Sequence, residues 1–180
     1  YTVSAASGPR EALRIFERRT TLPEQQFDSE RFDAIVYGHG RFGGQLVREL
    51  VQSGCSVLVV EWDPYARVEI ETENLGGRVS VVFGDANSPE FPEALPIRHA
   101  RWIISTLPDA DTNLVLAAAL RRHGATCPIA VTVHTDDAED LYREALADST
   151  ISVVLHPFRD AADDALEVLT RLEDSEPETP

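Results

Sequence analysis

The chain has 180 residues, of which 43% are hydrophobic and 26% charged, so it is long and apolar enough to fold around one core. Its 31 acidic and 16 basic residues give a net charge of −15, which would repel a nucleic-acid backbone, and we expect no nucleic-acid partner. All 16 basic residues are Arg, and the absence of Lys excludes Walker A loops, Schiff-base enzymes and the Tyr-x-x-x-Lys pair of short-chain dehydrogenases.

The two cysteines indicate whether the chain holds a metal or a disulfide, and the lengths of the apolar runs indicate whether it can span a membrane. Cys55 and Cys127 lack metal-ligand spacing, and the first residues do not resemble a signal peptide, so we expect no metal site and a reducing, cytosolic environment. No apolar run approaches the roughly 18 residues that cross a bilayer. Because the sequence contains no Met, we expect it to be a segment of a longer protein, one that can include a membrane-embedded part.

Three zones follow one another along the chain: a polar lead-in over residues 1–30, a domain over 31–172 and an acidic tail over 173–180. Residues 12–19 of the lead-in contain three Arg and are predicted to form a helical stretch. Such cationic flanks are typical of the cytoplasmic end of a transmembrane helix, although an ordinary solvated amphipathic helix explains this stretch equally well.

Within the domain, six short apolar runs alternate with stretches of helical period. Runs that are apolar throughout are typical of strands buried on both faces. Their alternation with stretches of helical period predicts six strands, each followed by a helix. This is an α/β fold, a doubly wound six-stranded parallel sheet of Rossmann type with strand order 3-2-1-4-5-6. A last amphipathic stretch, 161–172, is expected to pack on its own sheet or on a partner. The predicted strands are 33–37, 56–60, 79–83, 102–106, 129–133 and 151–155.

The first strand runs into a glycine-rich loop, Gly38-His39-Gly40-Arg41-Phe42-Gly43, which matches G-x-G-x-x-G at a strand-to-helix corner. In this fingerprint Gly38 permits the tight turn, Gly40 leaves room for a pyrophosphate, and Gly43 lets the helix pack closely on the strand. The first-turn amides and the helix dipole then hold the phosphate. His39 has no identifiable catalytic partner, so we assign it no role as a general base.

An acidic residue stands at the expected distance from this loop. Glu61 follows the second strand, 23 positions after Gly38, where the fingerprint expects an acid after about 20. A carboxylate there accepts hydrogen bonds from ribose hydroxyls and repels a 2'-phosphate, which favours an NAD, AMP, ADP or ATP type ligand over NADP. Arg67 is the nearby cation that would weaken this preference.

Two more corners follow predicted strands at the sheet edge where open α/β folds bind ligands. The turn at 84–87 offers Asp85 to an adenine, or caps the next helix through Asn87 or Ser88. The corner at 105–109 places Thr106 where it can face the phosphates, whereas Asp109 is equally well explained as a solvated helix start.

These motifs together resemble the N-terminal domain of RCK proteins, also called KTN or TrkA-N domains, over about residues 31–158. The resemblance depends on Gly-Arg-Phe-Gly within the glycine loop, on Val59-Val60-Glu61-Trp62-Asp63, on Gly84-Asp85-Ala86 and on Asn113-Leu114. It extends to the closing segment between Ala147-Asp148 and His156-Pro157. Glu61 stands where the family more often has Asp, and Trp62 is bulky beside the ribose position.

The resemblance implies a domain that binds NAD(H), AMP, ADP or ATP without turnover and whose dimers or rings move an attached potassium channel or cation:proton antiporter. It implies that residues 38 and 40–42 line the phosphates, Glu61 the ribose, Asp85 and Ala86 the adenine, and Thr106 the inner phosphate region. The implied nucleotide-binding residues are Gly38, Gly40, Arg41, Phe42, Gly43, Glu61, Asp85, Ala86 and Thr106.

The leading hypothesis is therefore a non-catalytic regulatory domain at the cytoplasmic face of the cell membrane, working as a homodimer on a transmembrane channel or antiporter. A small NAD-dependent oxidoreductase is the alternative, kept open by His134 at the end of the fifth strand. It would need a second domain to hold the substrate, and only about one helix follows the sheet. A third interpretation, a dimerisation unit with an empty site, is disfavoured by the intact glycine loop and Glu61.

Overall fold

The structure, a computed structural model, describes residues 31–63, 65, 68, 70, 75, 77–135 and 140–174. Its strands form one six-stranded parallel sheet in the order β3-β2-β1-β4-β5-β6, which confirms the predicted doubly wound Rossmann topology. The strands are β1 Ala34–Tyr37, β2 Val57–Glu61, β3 Val79–Phe83, β4 Trp102–Ser105, β5 Ile129–Thr132 and β6 Val153–Leu155.

Helices cover both faces of this sheet, and alternate residues of β1 pack against helices on opposite faces. Ala34 and Val36 belong to one buried cluster with Val47 of α1 (Arg41–Gln52), whereas Ile35 belongs to a second cluster with Leu116 of α2 (Ala110–Arg122). Successive side chains of a strand point to opposite faces, so a strand covered on both sides is apolar at every position. This is why β1 is apolar throughout.

The connection between β3 and β4 differs from the prediction of a helix after every strand. It consists of two 3-10 helices, Phe91–Ala94 and Ile97–His99, instead of an α-helix. Pro89, Pro92 and Pro96 explain the difference, because each lacks a backbone N–H and clashes with a preceding carbonyl group inside an α-helix. The predicted helix between β2 and β3 lies largely outside the described residues.

After β5 the chain forms the short helix α3 (Arg143–Ala147), and after β6 the long helix α4 (Pro157–Asp174). Residues 158–172 of α4 are all exposed, so among the described residues this helix does not pack back on its own sheet. It also continues two residues into the predicted acidic tail. The predicted lead-in, Arg67 and residues 175–180 lie outside the described residues, and none of the described helices is long and apolar enough to span a membrane.

At the amino-terminal ends of the strands, on the side of the sheet away from the glycine loop, Asp33 connects the start of β1 to the start of β2 through hydrogen bonds. Its Oδ2 accepts the backbone N–H of Ser56 at 2.9 Å and the Ser56 hydroxyl at 3.0 Å. The Arg101 guanidinium lies 3.6 Å from Oδ1. The hydrogen bonds from Ser56, with Arg101 adding to them, lower the pKa of Asp33.

Candidate nucleotide-binding site

The glycine loop turns sharply after β1. Gly38 has φ +90°, a conformation that L side chains rarely adopt, and its N–H donates to the Val60 carbonyl at 2.9 Å. The Thr106 hydroxyl lies 3.1 Å from the carbonyl oxygens of both Tyr37 and Gly38, which share its one hydrogen. Thr106 is therefore buried behind the loop and supports it, while its contact with a phosphate stays a prediction.

Gly43 and Gly40 are required for different reasons. A Cβ on Gly43 would lie 2.4 Å from the Gly38 carbonyl oxygen and 2.6 Å from Thr106 Oγ1, so only glycine allows α1 to pack this closely on the loop. A Cβ on Gly40 would meet nothing within 4 Å. The space beside Gly40 is thus open, and its occupation by a pyrophosphate, which the fingerprint implies, stays a prediction.

The N-terminus of α1 faces this space. Gly40 is the N-cap residue, and no side chain of the described residues caps it. The first turn also contains no acidic residue. The first N–H groups of a helix have no partner within it, and with the positive end of the helix dipole they favour an anion. Arg41 is exposed and Phe42 half-buried in this turn, and their contact with a phosphate stays a prediction.

Glu61, the last residue of β2, is held by backbone N–H groups. Its Oε2 accepts from His39 of the glycine loop at 2.6 Å, and its Oε1 accepts from Trp62 at 2.7 Å and Asp63 at 3.1 Å. Each carboxylate oxygen has about two lone-pair sites, so the described residues fill both sites of Oε1 and one site of Oε2. The ribose contact predicted for Glu61 would use the remaining site of Oε2. Sequence reasoning placed Glu61 at the ribose and missed its bond to the loop.

The turn after β3 is shaped by packing as well as by its polar residues. Asp85 Oδ1 accepts the N–H of Asn87 at 2.8 Å, an Asx turn, and Ala86 is half-buried. Of the two alternatives for this turn, capping of the next helix by Asn87 or Ser88 is wrong, because Glu90 is the N-cap of the following 3-10 helix. A Cβ on Gly84 would lie 1.9 Å from the end of the Phe91 ring, so a larger residue there would require this ring to move.

A cleft of about 370 Å³ lies along the carboxyl ends of β1, β2 and β3 and the loop after β4. It brings together four of the predicted residues: Gly38, Glu61, Asp85 and Ala86. Gly40, Arg41, Phe42 and Gly43 form the adjoining loop and first turn of α1, and Thr106 lies behind. The other lining residues are Tyr37, Val60, Trp62, Gly84, Asn87, Leu107, Pro108, Asp109 and Thr112.

Polar contacts join the 84–87 turn to the start of α2 at this cleft. The Thr112 hydroxyl lies 2.5 Å from Asp109 Oδ1 and 3.0 Å from the Asn87 side-chain oxygen. Because a hydroxyl has one hydrogen, which the Asp109 carboxylate takes, we place the Asn87 amide NH2 toward Thr112. Asp109 also accepts the Thr112 N–H at 2.7 Å as the N-cap of α2, and these bonds lower the pKa of Asp109. The helix-start interpretation of Asp109 is confirmed.

Asn113 holds the loop after β4 in place from inside the core. This side chain is fully buried, and its Nδ2 donates to the Leu107 carbonyl at 3.1 Å and to the Tyr142 hydroxyl at 2.9 Å. Its Oδ1 accepts the Ser105 hydroxyl at 2.6 Å. Leu107 lines the cleft, so Asn113 positions one wall of the site without touching its interior.

The two histidines that bear on an enzymatic alternative have different surroundings. His39 packs on Gly44 of α1, and both of its ring nitrogens are buried without a hydrogen-bond partner among the described residues. His134 Nε2 lies 3.1 Å from Thr132 Oγ1, and its ring meets Phe158 edge-on at 5.3 Å. Neither histidine lines the cleft as a partnered acid or base.

Tyr37 is a lining residue that sequence reasoning passed over. Its hydroxyl is buried without a hydrogen-bond partner among the described residues, and this burial raises the pKa of Tyr37. The position directly before Gly38 was the available signal, because the last residue of β1 must lie at the same edge as the loop.

Comparison with known proteins identifies the family. A model of the TrkA-N domain matches residues 34–153, which is more than half of the chain. The chain belongs to the TrkA-N domain family. The glycine loop, Glu61 and the 84–86 turn all lie within the matched part of this TrkA-N domain.

The relatives of this TrkA-N domain include parts of much longer proteins. The glutathione-regulated potassium-efflux system protein KefC of Salmonella arizonae is 34% identical over 98 residues, which are 54% of this chain and 15% of KefC. The chain therefore spans about a seventh of the length of KefC.

Solved structures share the fold of this TrkA-N domain at low identity. The TrkA-N domain of the inner membrane protein ybaL from Escherichia coli has a TM-score of 0.64 at 23% identity and covers 78% of this chain and 98% of its own. The GsuK channel bound to NAD has a TM-score of 0.59 at 21% identity over 81% of this chain and 25% of its own. The Kef CTD of Shewanella denitrificans in its AMP-bound form has a TM-score of 0.58 at 22% identity, covering 79% and 82%.

Proposed function

We propose that this domain is a regulatory nucleotide-binding domain that controls a potassium channel or a monovalent cation:proton antiporter through a ligand-dependent conformational change. One observation carries the proposal: the N-terminus of α1, with open space beside Gly40, adjoins a cleft that contains Glu61 and the 84–87 turn. A phosphate at the helix and a ribose at Glu61 together match the two ends of a nucleoside phosphate.

The proposed ligand is NAD(H) or an adenine nucleotide, AMP, ADP or ATP. Two solved structures with this fold hold NAD and AMP, which supports a ligand of this class. Glu61 presents a negative charge where a 2'-phosphate would lie, which disfavours NADP(H).

We propose binding without turnover, in preference to the oxidoreductase alternative. A dehydrogenase must hold an acid or base against its substrate. In the described part of the chain, His39 has no partner and His134 contacts Thr132 and Phe158 away from the cleft lining. Membership in the TrkA-N family also supports a regulatory role.

We further propose a transmembrane partner, a position on the cytoplasmic face of the cell membrane, and a homodimer formed through α4. The similarity to KefC supports the membrane partner. The exposed helix supports the homodimer, because its apolar side chains are spaced alternately four and three residues apart, as in a coiled-coil seam. The seam residues are Phe158, Ala162, Ala165, Leu169 and Leu172.

Calorimetric titration with NADH, NAD, NADPH, AMP, ADP and ATP tests the ligand. We expect at least one ligand without a 2'-phosphate to bind, and NADPH to bind more weakly than NADH. Hydrogen–deuterium exchange with and without that ligand then tests the conformational change, with altered protection expected in the glycine loop and in α4. Absence of binding by all six ligands would refute the proposal.

A further inference from the structure

Trp62 stands out among the residues that line the cleft. Its exposed fraction is 74%, although large aromatic side chains are usually well buried. The other tryptophan of the chain, Trp102, is half-buried against the core, and the Arg101 guanidinium lies 4.3 Å from its ring centroid. Trp102 therefore has its packing partners within the domain, whereas Trp62 leaves most of its ring uncovered.

The backbone at Trp62 is fixed at the position where the ribose is proposed to bind. The Trp62 N–H donates to Glu61 Oε1 at 2.7 Å, and the other oxygen of the same carboxylate accepts from the glycine loop. Three apolar residues, Ala86, Leu107 and Pro108, line the same cleft. An aromatic ring and apolar walls thus occur together next to the ribose-binding carboxylate.

The charges of the cleft indicate which part of a nucleotide it receives. Among the described lining residues, Glu61, Asp85 and Asp109 are carboxylates and none is cationic. Phosphates are repelled by these carboxylates and favoured at the N-terminus of α1. The uncharged base is therefore the part of the ligand that suits the cleft, and its flat apolar faces match a tryptophan ring.

We propose that Trp62 is a binding residue that stacks on the adenine base of the bound nucleotide. This inference rests on the proposed nucleotide binding and adds the residue that recognises the base. Base–aromatic stacking is sequence-tolerant because every base has a π-face, so Trp62 contributes affinity more than selectivity among bases. Tyr65 and Val68 are also exposed nearby, which makes a second copy of the chain the competing occupant of this surface.

The experiment separates the base from the rest of the ligand. Calorimetry measures the binding of AMP and of ribose 5-phosphate, which lacks the base, to the native protein and to Trp62→Ala and Trp62→Phe. We expect Trp62→Ala to weaken AMP binding by about 5- to 150-fold, the range for loss of one stack, and to leave ribose 5-phosphate binding unchanged. Trp62→Phe should restore most of the affinity for AMP.

Fluorescence gives an independent readout, because the chain has only two tryptophans. Trp102→Phe leaves Trp62 as the sole tryptophan, and AMP should change its emission; in Trp62→Phe, AMP should leave the emission of Trp102 unchanged. Unchanged AMP affinity in Trp62→Ala would overturn the inference while leaving nucleotide binding intact. An emission change on raising the protein concentration without nucleotide would assign the surface to a second copy instead. Failure of the native protein to bind any nucleotide would overturn both proposals.

Discussion

The backbone N–H of His39 donates to Glu61 Oε2 at 2.6 Å, so the acidic residue of β2 and the glycine loop are directly bonded. Glu61 thereby links the proposed phosphate and ribose positions. It also orients the Trp62 backbone through its other oxygen. Any change at Glu61 is expected to affect loop geometry and ribose recognition together.

Glu61→Ala should reduce nucleotide affinity by about 1 to 3 kcal/mol, because it removes the proposed charge-assisted hydrogen bond to the ribose and the bond that holds the glycine loop. Glu61→Gln should also reduce it, since an amide has only one oxygen to accept the bonds that two oxygens accept in Glu61. Calorimetry with NADH and NADPH measures both effects. Equal affinity of the native protein for NADH and NADPH would contradict the role of Glu61 against a 2'-phosphate.

Gly40→Ala should abolish nucleotide binding without unfolding the domain. The added methyl group meets no atom of the described residues within 4 Å, but it occupies the space proposed for the phosphates. Gly43→Ala is the matched control, because its methyl group would lie 2.4 Å from the Gly38 carbonyl oxygen and should lower the melting temperature. Thermal unfolding and calorimetry of the two variants distinguish the effects. A folded Gly40→Ala variant with native affinity would show that no phosphate lies there.

The features that sequence predicted best are those imposed by local chemistry. Strands buried on both faces must be apolar throughout, and Gly38 at φ +90° needs glycine, so both leave a pattern in the chain. The prediction of an α-helix between β3 and β4 was wrong, and its cause is also local. Pro89 and Pro92 disfavour an α-helix in this segment, and both are visible in the sequence.

The features that sequence could not predict depend on residues far apart in the chain. Thr106 donates to the Gly38 carbonyl from 68 positions away, and Thr112 meets Asn87 from 25 positions away. Gly84 belongs to a motif that the sequence assigns to ligand binding, yet the group that a Cβ there would meet is the Phe91 ring. Only the folded chain shows which partner each polar group has.

Asn113→Ala should destabilise the domain by about 1 to 3 kcal/mol, because the buried hydroxyls of Ser105 and Tyr142 each lose their hydrogen bond to the Asn113 side chain. Val115→Ala is the control on the same helix, where a partly exposed side chain should cost about 0.5 kcal/mol or less. Urea unfolding measures both free energies. Equal values for the two variants would show that the Asn113 bonds add nothing to stability.

Asp33 should contribute stability that depends on pH. Its pKa is lowered in the folded state, so the contribution is present above the unfolded pKa of about 3.9 and is lost as pH falls through the folded value. The free energy of unfolding of the native protein should therefore exceed that of Asp33→Asn by a constant amount between about pH 5 and 7 and approach it in stronger acid. A difference that persists unchanged at pH 2 would show that the Asp33 charge is not the cause.

The helix α4 should join two copies of the chain. Leu169 lies in the seam and Leu166 directly beside it. They are 58% and 64% exposed, and burying such side chains against a second copy is favourable by roughly 1.5 to 3 kcal/mol for each one fully covered. Leu166→Glu combined with Leu169→Glu should therefore convert a dimer to a monomer, as measured by light scattering at micromolar concentration with and without nucleotide.

A matched control separates the lost apolar contacts from the added charge. Arg171→Glu lowers the net charge by two units, as the double variant does. Arg171 lies outside the seam, where it is paired with Glu167, so this variant should remain dimeric. Because α4 makes no core contacts among the described residues, the double variant should keep its native melting temperature at low protein concentration. A native protein that is monomeric under every condition, or a double variant that stays dimeric, would show that α4 does not join the two copies.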